Sequence, residues 1–546
     1  MSARPDGMAH REPTLLRVAL VRARRAGSST SGQGSGPPLG LLSLAAYARA
    51  ERPGAYCFEV HDTYFHAPDE TGRWLARFAP HVVALSGLTV DAEALADAAR
   101  LVRATLGVDV PILLGGPHAS AYPEACLAFE GVTAVVAGEG EVAFLDLLEH
   151  AAGRRHADAV RGAWRRDPRG RTVAPLPLGP LDVNVLPTPA YDLVDVSLYA
   201  SIPNTVGTIL LPPHRYLPLF LTRGCPYHCT YCHNIFGRRF RALDAGRAVD
   251  LIQDLSERHG VTHFHFYDDV FNADRARFLA VWRELARRRL GLRFYFANGL
   301  RFDTLDREQL EAMKEAGVVY VAAAIESASP RLQASLKKRI RLPRLLANVE
   351  VADEIGLFTT GFMMLGFPDE TRDEMELTIR TAAESRLHYV YFSVLNPYEG
   401  TPLGAELRAR GVDVSAAEMV GYSSPGKNFA GLPPDAFRDL LRSAYRRFWT
   451  PSRFAAFLAH HPDPAGFFEG LATPASRANL VRRTLAVLGV GVGGGDGEGG
   501  GDGCAAWTAP RPAHPVTRSL ARLAGAASGR AACALNRAWA GVEHAR

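Results

Sequence analysis

Cysteine is scarce: the 546 residues hold seven, an odd number. That count argues against a disulfide framework as the basis of the fold, since each cysteine of such a framework needs a partner. The segment Met1–Arg25 is charged throughout and has no apolar core of the kind a secretory signal requires, so the expected location is the cytoplasm and the thiols are expected to be reduced. No apolar run reaches the length that crosses a bilayer, so no membrane anchor is expected. An excess of one charge is missing too: 62 Lys and Arg face 57 Asp and Glu, a net of +5. The arginines are scattered and form no basic stripe, so nucleic acid is not an expected partner. What remains is the composition of a globular chain, 47% hydrophobic and 22% charged, too long for one core and expected to divide into two or three domains.

Three of the cysteines stand together, in Cys225-Pro-Tyr-His-Cys229-Thr-Tyr-Cys232. The apolar run Tyr216–Leu221 and a Thr-Arg-Gly turn precede them, which places three thiolates on one tight loop at the end of a strand. Thiolates are the ligands that iron–sulfur clusters prefer. A cubane cluster wants four ligands, so three cysteines leave one iron open to a substrate or cofactor. The alternative is a structural zinc site with His228 or His233 as fourth ligand, although zinc modules usually split their ligands between two separated pairs. Cys504 and Cys533 have no partners at ligand spacing, and there is no second cysteine cluster.

Residues 1–13 read as a loose N-terminus and 14–155 as an α/β domain. Strands are expected at Leu16–Val21, Tyr56–Val60, His81–Leu85, Pro111–Leu114 and Thr133–Ala137, and helical patterns lie between them. This alternation implies a parallel sheet covered on both faces, with flavodoxin-like topology. Ligands of such sheets bind beyond the carboxyl ends of the strands, where this segment carries Ser86-Gly87-Leu88, Gly115-Gly116-Pro117-His118 and Gly138-Glu139-Gly140-Glu141. Glycines there let backbone approach a bulky ligand, or simply end each strand. Gly27–Gly36 reads as a flexible loop.

Residues 156–209 read as a connector, with a small hairpin at Arg165–Arg171 and prolines that oppose regular structure. The second domain, 210–415, shows strands at Tyr216–Leu221, Val261–Tyr267, Arg293–Ala297, Val318–Ile325, Thr359–Leu365 and Tyr389–Leu395, each followed by a helix-length segment. Six βα units predict a partial TIM-type barrel with its chemistry at the carboxyl ends of the strands. Those ends carry Asp268 and Asp269, Asn298, Glu326 and Ser327, and Asn396. Such groups accept hydrogen bonds from an ammonium or a ribose hydroxyl; Asp268 could equally cap a helix. Residues 416–488 read as helical, with Ala436–Trp449 amphipathic and expected to cap the barrel mouth, pack against the first domain or lie in solvent. Residues 489–546 read as a low-complexity linker and disordered tail.

The cysteine loop resembles that of the radical S-adenosylmethionine (SAM) enzymes. The resemblance implies that Cys225, Cys229 and Cys232 hold a 4Fe-4S cluster, that SAM takes the open iron and that Tyr231 lies near the adenine. It further implies that the Asp268 region receives the SAM amino group and that Glu326 binds ribose; Gly361–Pro368 and Asn396–Pro402 resemble the family's fifth- and sixth-strand segments. The three glycine loops of 14–155, with Pro37-Pro38-Leu39-Gly40, resemble the cobalamin-binding domain that precedes many radical SAM barrels. That resemblance makes Tyr64, Ser86, Gly87, Gly115, Gly116, His118, Gly138, Glu139 and Gly140 cobalamin-site candidates. It departs at one place: proteins that bind cobalamin through a histidine carry Asp-x-His-x-x-Gly, whereas Asp62-Thr63-Tyr64-Phe65-His66-Ala67 puts Tyr64 at the histidine. Together the resemblances imply a cobalamin-dependent radical SAM C-methyltransferase acting on a small molecule, by analogy a secondary metabolite, with flavodoxin or ferredoxin as electron donor. A cyclisation, ring rearrangement or oxidation without methyl transfer is the second expectation, and a zinc-bound module without enzymatic activity the third.

Overall fold

In the first domain, alternate residues of one strand go to opposite layers. Leu16, Val18 and Leu20 join one core cluster, while Ala19, Val21 and Ala23 join another on the far side of the sheet. A strand buried on both faces reads as a continuous apolar run, and it needs helices on both sides. In the computed structural model, which describes residues 15–24, 36–167, 169–200, 205–206, 209–210, 214–414 and 428–464, those helices are present. The loose N-terminus, most of Gly27–Gly36, the helical reading beyond 464 and the tail lie outside the described residues.

Strands β1 (Leu16–Arg22), β2 (Tyr56–Asp62), β3 (Val82–Ser86), β4 (Ile112–Gly115) and β5 (Val132–Val136) pair in parallel in the order β2-β1-β3-β4-β5. The order reverses between β1 and β3, which makes a switch-point crevice at their carboxyl ends. The hairpin expected at Arg165–Arg171 forms β6 (Ala163–Arg166) and β7 (Thr172–Val173) and extends the sheet antiparallel beyond β5. Its turn is built by Asp167, whose carboxylate accepts from the backbone N–H of Arg169 and Arg171 at 2.9 Å each. The Pro-rich connector ties the domains: Ala190 N–H donates to Leu42 O at 3.1 Å, and the buried Tyr191 hydroxyl donates to Pro218 O at 2.7 Å.

The second sheet is all parallel, β8 (Tyr216–Leu219), β9 (His263–Phe266), β10 (Arg293–Leu300), β11 (Val318–Glu326), β12 (Phe358–Leu365) and β13 (Tyr389–Val394), in sequence order. No pairing joins β8 to β13, so this six-stranded barrel is open at the side. Its outward residues, such as Phe264, Phe266 and Phe294, pack with Trp282 and the helices. Two departures from expectation bear on function. β10 runs on to Leu300 through a register irregularity between Phe296 and Leu300, so Asn298 lies within the strand and not at its end. Among the described residues, the C-terminal helices lie along the side and the floor of the barrel. Pro434–Phe448 lies outside β13, where Tyr445 Oη accepts from Phe392 N–H at 3.0 Å, and Phe457 and Leu458 of Pro451–His460 pack under Tyr295, Tyr320 and Phe358 at the amino ends of the strands. The segment closes the barrel floor because its apolar stripe meets the aromatic inner wall there.

Candidate active site at the domain interface

The cysteine loop is shaped by its backbone. Thr222–Arg223 pairs antiparallel with Arg241–Ala242 and closes the loop at its base. Gly224 sits at φ +83°, and a Cβ there would meet Arg239 O at 2.2 Å, so only glycine fits. Cys225 N–H donates to Gly237 O at 3.1 Å, Asn234 Nδ2 donates to Cys225 O at 3.3 Å, and Thr230 N–H donates to Leu336 O at 3.0 Å. Burial raises the Cys225 thiol, and Cys232, which keeps exposed surface, is raised as well. Ligation would release the protons of the Cys225 and Cys232 thiols.

The donor set fits a cluster better than zinc. Zn–S bonds of about 2.3 Å would put tetrahedral sulfurs roughly 3.8 Å apart, but the three sulfurs are not within 4.8 Å of one another as a set. Among the described residues, the trio of metal-type donors that is so close is Asp353, His388 and His460, at the barrel floor. It is a poor metal site. Thr359 N–H donates to His388 Nδ1 at 3.0 Å, so Nε2 carries the proton and donates it to Asp353 at 3.0 Å. His228, one proposed zinc ligand, is exposed, and His233 packs its ring 4.5 Å from Tyr398.

Around the loop the barrel supplies a paired charge. Glu326 ends β11 at φ +67°, a strained conformation for a residue with a side chain, and its buried carboxylate meets Lys338 Nζ at 3.2 Å. Burial disfavours charge on Lys338 and the Glu326 carboxylate beside it favours charge, and the pKa ends above the ordinary lysine value. Sequence reasoning missed Lys338. The signal lay in Lys337-Lys338-Arg339, where positive φ at 337 and 339 turns the flanking side chains to solvent and the middle one inward. Tyr231 is largely enclosed, with its phenol raised by burial and by the nearby Glu326, and its ring meets Phe367 edge-on at 6.0 Å.

The other candidates divide. Asp269 acts electrostatically on Cys225 and Cys232 and is exposed at the mouth of the loop, with its carboxyl raised by partial desolvation. Asp268 is buried one residue behind: Oδ1 accepts from Leu221 N–H at 2.9 Å and Thr222 Oγ1 at 2.6 Å, and burial raises it to about 7. It fixes the strand that leads into the cysteine loop, and its Oδ2 has no partner. Asn298 donates through Nδ2 to Tyr267 O at 2.6 Å. Ser327 is fully buried, with Oγ 3.3 Å from Thr378 Oγ1 and accepting from Ser329 N–H; it braces the Glu326 turn from behind. Asn396 follows β13 and is half-buried.

In the first domain the three glycine loops knit into one edge. Gly116, at φ +89°, lies so close to Ser86 that a Cβ would meet Oγ at 2.4 Å, His118 N–H donates to Gly87 O at 3.3 Å, and Gly138 N–H donates to Ser120 Oγ at 2.9 Å. A Cβ on Gly87 or Gly140 would touch Leu95 at 3.0 Å or Leu44 at 3.1 Å, while Gly115 has nothing nearer than 3.8 Å. Gly115 thus leaves open backbone at the carboxyl edge of the sheet, where ligands of such sheets bind, and the other glycines let the loops pack closely on one another and on the helices. His118 is buried and held neutral, lowered to about 4, with its Nδ1 unpartnered. Tyr64 follows the edge strand β2, and the guanidinium of Arg24, just beyond β1, lies 4.7 Å from its ring. Glu139 is committed elsewhere: its carboxylate pairs with Arg223 at 3.1 Å and with Arg241, both at the base of the cysteine loop.

Comparison with known proteins places both domains. The Radical SAM superfamily model matches residues 219–382, and the B12 binding domain model matches residues 29–148. An uncharacterized methyltransferase of Pyrococcus horikoshii is 29% identical over 68% of this chain and 78% of its own. An anaerobic magnesium-protoporphyrin IX monomethyl ester cyclase of Rubrivivax gelatinosus is 24% identical over 81% and 79%. The radical SAM methyltransferase TsrM of Kitasatospora setae, solved with cobalamin and a [4Fe-4S] cluster, is 19% identical and superposes with a TM-score of 0.59 over 72% of this chain and 75% of its own. No helix among the described residues is long and apolar enough to cross a membrane. The chain therefore carries a radical SAM domain preceded by a B12-binding domain, in the fold of the solved cobalamin-containing enzyme.

Proposed function

We propose that the protein is a cobalamin-dependent radical SAM C-methyltransferase acting on a small-molecule substrate. The observation that carries this is the apposition of the two cofactor edges: a Cβ on Gly138 of the first domain would lie 3.2 Å from Ile235 O, three residues beyond Cys232. When bound, the cluster and SAM supply a carbon-centred radical and cobalamin supplies a methyl group. Cys225, Cys229 and Cys232 would hold the cluster. The Glu326–Lys338 pair would meet the ribose hydroxyls and the carboxylate of SAM, and Asp269, already facing the cysteines, would take its amino group. Tyr231 against Phe367 would wall the adenine from water. On the opposite side, the Ser86, Gly115–Gly116 and Gly138 backbone would seat the corrin, with the neutral His118 beneath the loops. Holding both reactive centres against one enclosed substrate replaces a collision by an orientation.

The methyltransferase relative favours methyl transfer. The cyclase relative, matched over a similar share of its length, favours the second reading, in which both cofactors act without moving a methyl. Mass spectrometry separates them. Anaerobically reconstituted protein is incubated with methyl-deuterated SAM, hydroxocobalamin and a strong reductant. Labelled methylcobalamin together with 5′-deoxyadenosine is the expected result; deoxyadenosine alone would favour cyclisation, rearrangement or oxidation. An electron donor such as flavodoxin or ferredoxin would replace the chemical reductant in the cell.

A further inference from the structure

Both stems of the cysteine loop end on the same carboxylate of the other domain. Arg223, two residues before Cys225, bridges Glu139 and Glu141, with Nη1 at 3.1 Å from each. Arg241, nine residues after Cys232, reaches Glu139 at 2.9 Å and also donates to Phe236 O at 3.0 Å and Leu181 O at 2.6 Å. The four side chains are between 4% and 18% exposed. Burial works against the charge on Arg223, and Glu141 and Glu139 overcome it, so its pKa is raised.

Burying four charges is an expensive way to glue two domains. Apolar side chains of the same volume stabilise as well or better, and what a buried ionic set adds is register. Here the register is that of two loops at once. Glu139 lies between Gly138, packed against Ile235, and Gly140, packed against Leu44, so the loop cannot shift against a ligand without moving its carboxylate. Moving that carboxylate strains both stems of the cysteine loop.

We propose that Glu139, Glu141, Arg223 and Arg241 form a positioning device that couples ligand occupancy at the glycine loops to the geometry of the cysteine loop, so that the corrinoid and the cluster each bind more tightly in the presence of the other. The inference rests on the B12 site proposed above. Coupling of this kind is reciprocal and typically worth about 5- to 150-fold in affinity.

The test uses the full chain and hydroxocobalamin as probe. Its dissociation constant is measured by absorbance for cluster-free protein and for anaerobically reconstituted protein of known iron content. The expected ratio is about five or more in favour of the reconstituted protein, falling to near one in Glu139→Gln, which removes the charge and keeps the shape. A second measurement needs no variant: hydrogen exchange of the segment 222–242 in cluster-free wild-type protein is expected to slow when hydroxocobalamin is added. Equal dissociation constants in the wild type, a ratio that survives in Glu139→Gln, or unchanged exchange would each overturn the coupling. Absence of saturable binding would overturn the B12 site together with it.

Discussion

Glu370 should cost this protein stability at neutral pH, and replacing it by glutamine should recover that stability. The carboxyl is 2% exposed, and burial raises its pKa from the ordinary 4.5 to about 8 despite hydrogen bonds accepted from Gly366 N–H at 2.7 Å and Phe367 N–H at 3.0 Å. Both bonds end on Oε2, and Oε1 has no partner. Because the folded pKa is raised, folding takes up a proton between the two values: the contribution is fully present below pH 4.5 and is lost as pH rises through 8. At about 1.4 kcal/mol per unit, the loss between pH 5.5 and 7.5 is about 2.5 kcal/mol. Glu370→Gln keeps an oxygen for both N–H groups, removes the ionisation and lets an amide occupy the Oε1 position. Thermal and urea melts of wild type and variant at the two pH values are the assay, and the variant should gain on the wild type as pH rises. Parallel pH profiles would refute the reasoning. The position matters for chemistry as well, because the loop that Glu370 holds presents Phe367 to Tyr231.

Replacing any of Cys225, Cys229 or Cys232 by alanine should abolish 5′-deoxyadenosine formation, measured by chromatography after anaerobic reconstitution; continued formation would refute the assignment. Tyr64→Ala should leave hydroxocobalamin bound, since the Tyr64 ring is engaged by the Arg24 guanidinium; complete loss of binding by absorbance titration would place the lower face at that residue. Gly116→Ala should destabilise the first domain by about 1–3 kcal/mol, from the positive φ and the clash with Ser86 Oγ, and weaken cobalamin binding; an unchanged melt and affinity would show that the loop has room.

The sequence carried those parts of the site that are local in the chain. The period of the apolar runs gave both sheets, because a strand buried on two faces cannot hide its composition. The cysteine spacing and the three glycine loops each fall within a handful of residues. What escaped is what folding brings together over distance. Glu139 sits among glycines at a strand end and reads as a ligand contact, yet its partners Arg223 and Arg241 are 84 and 102 residues away. Asn298 was displaced from a strand end by a register irregularity that leaves no mark in hydropathy. The floor helix at Pro451–His460 falls within the segment read as helical but could be given no partner, since any apolar stripe fits any uncovered apolar surface.

Lys338 shows the limit most clearly. Three consecutive basic residues look alike in sequence, and the usual expectation is that all three are solvated. Positive φ at Lys337 and Arg339 reverses that for the middle one, and the turn is tied to the cysteine loop through Leu336 O and Thr230 N–H. The inward cation is then the partner that the buried Glu326 carboxylate meets at 3.2 Å. A site that must receive a zwitterionic ligand needs both signs of charge inside, and in its resting state they neutralise each other. The strain at Glu326 and at the basic turn is compatible with that requirement: it holds an acid and a base in a pocket that neither would occupy alone.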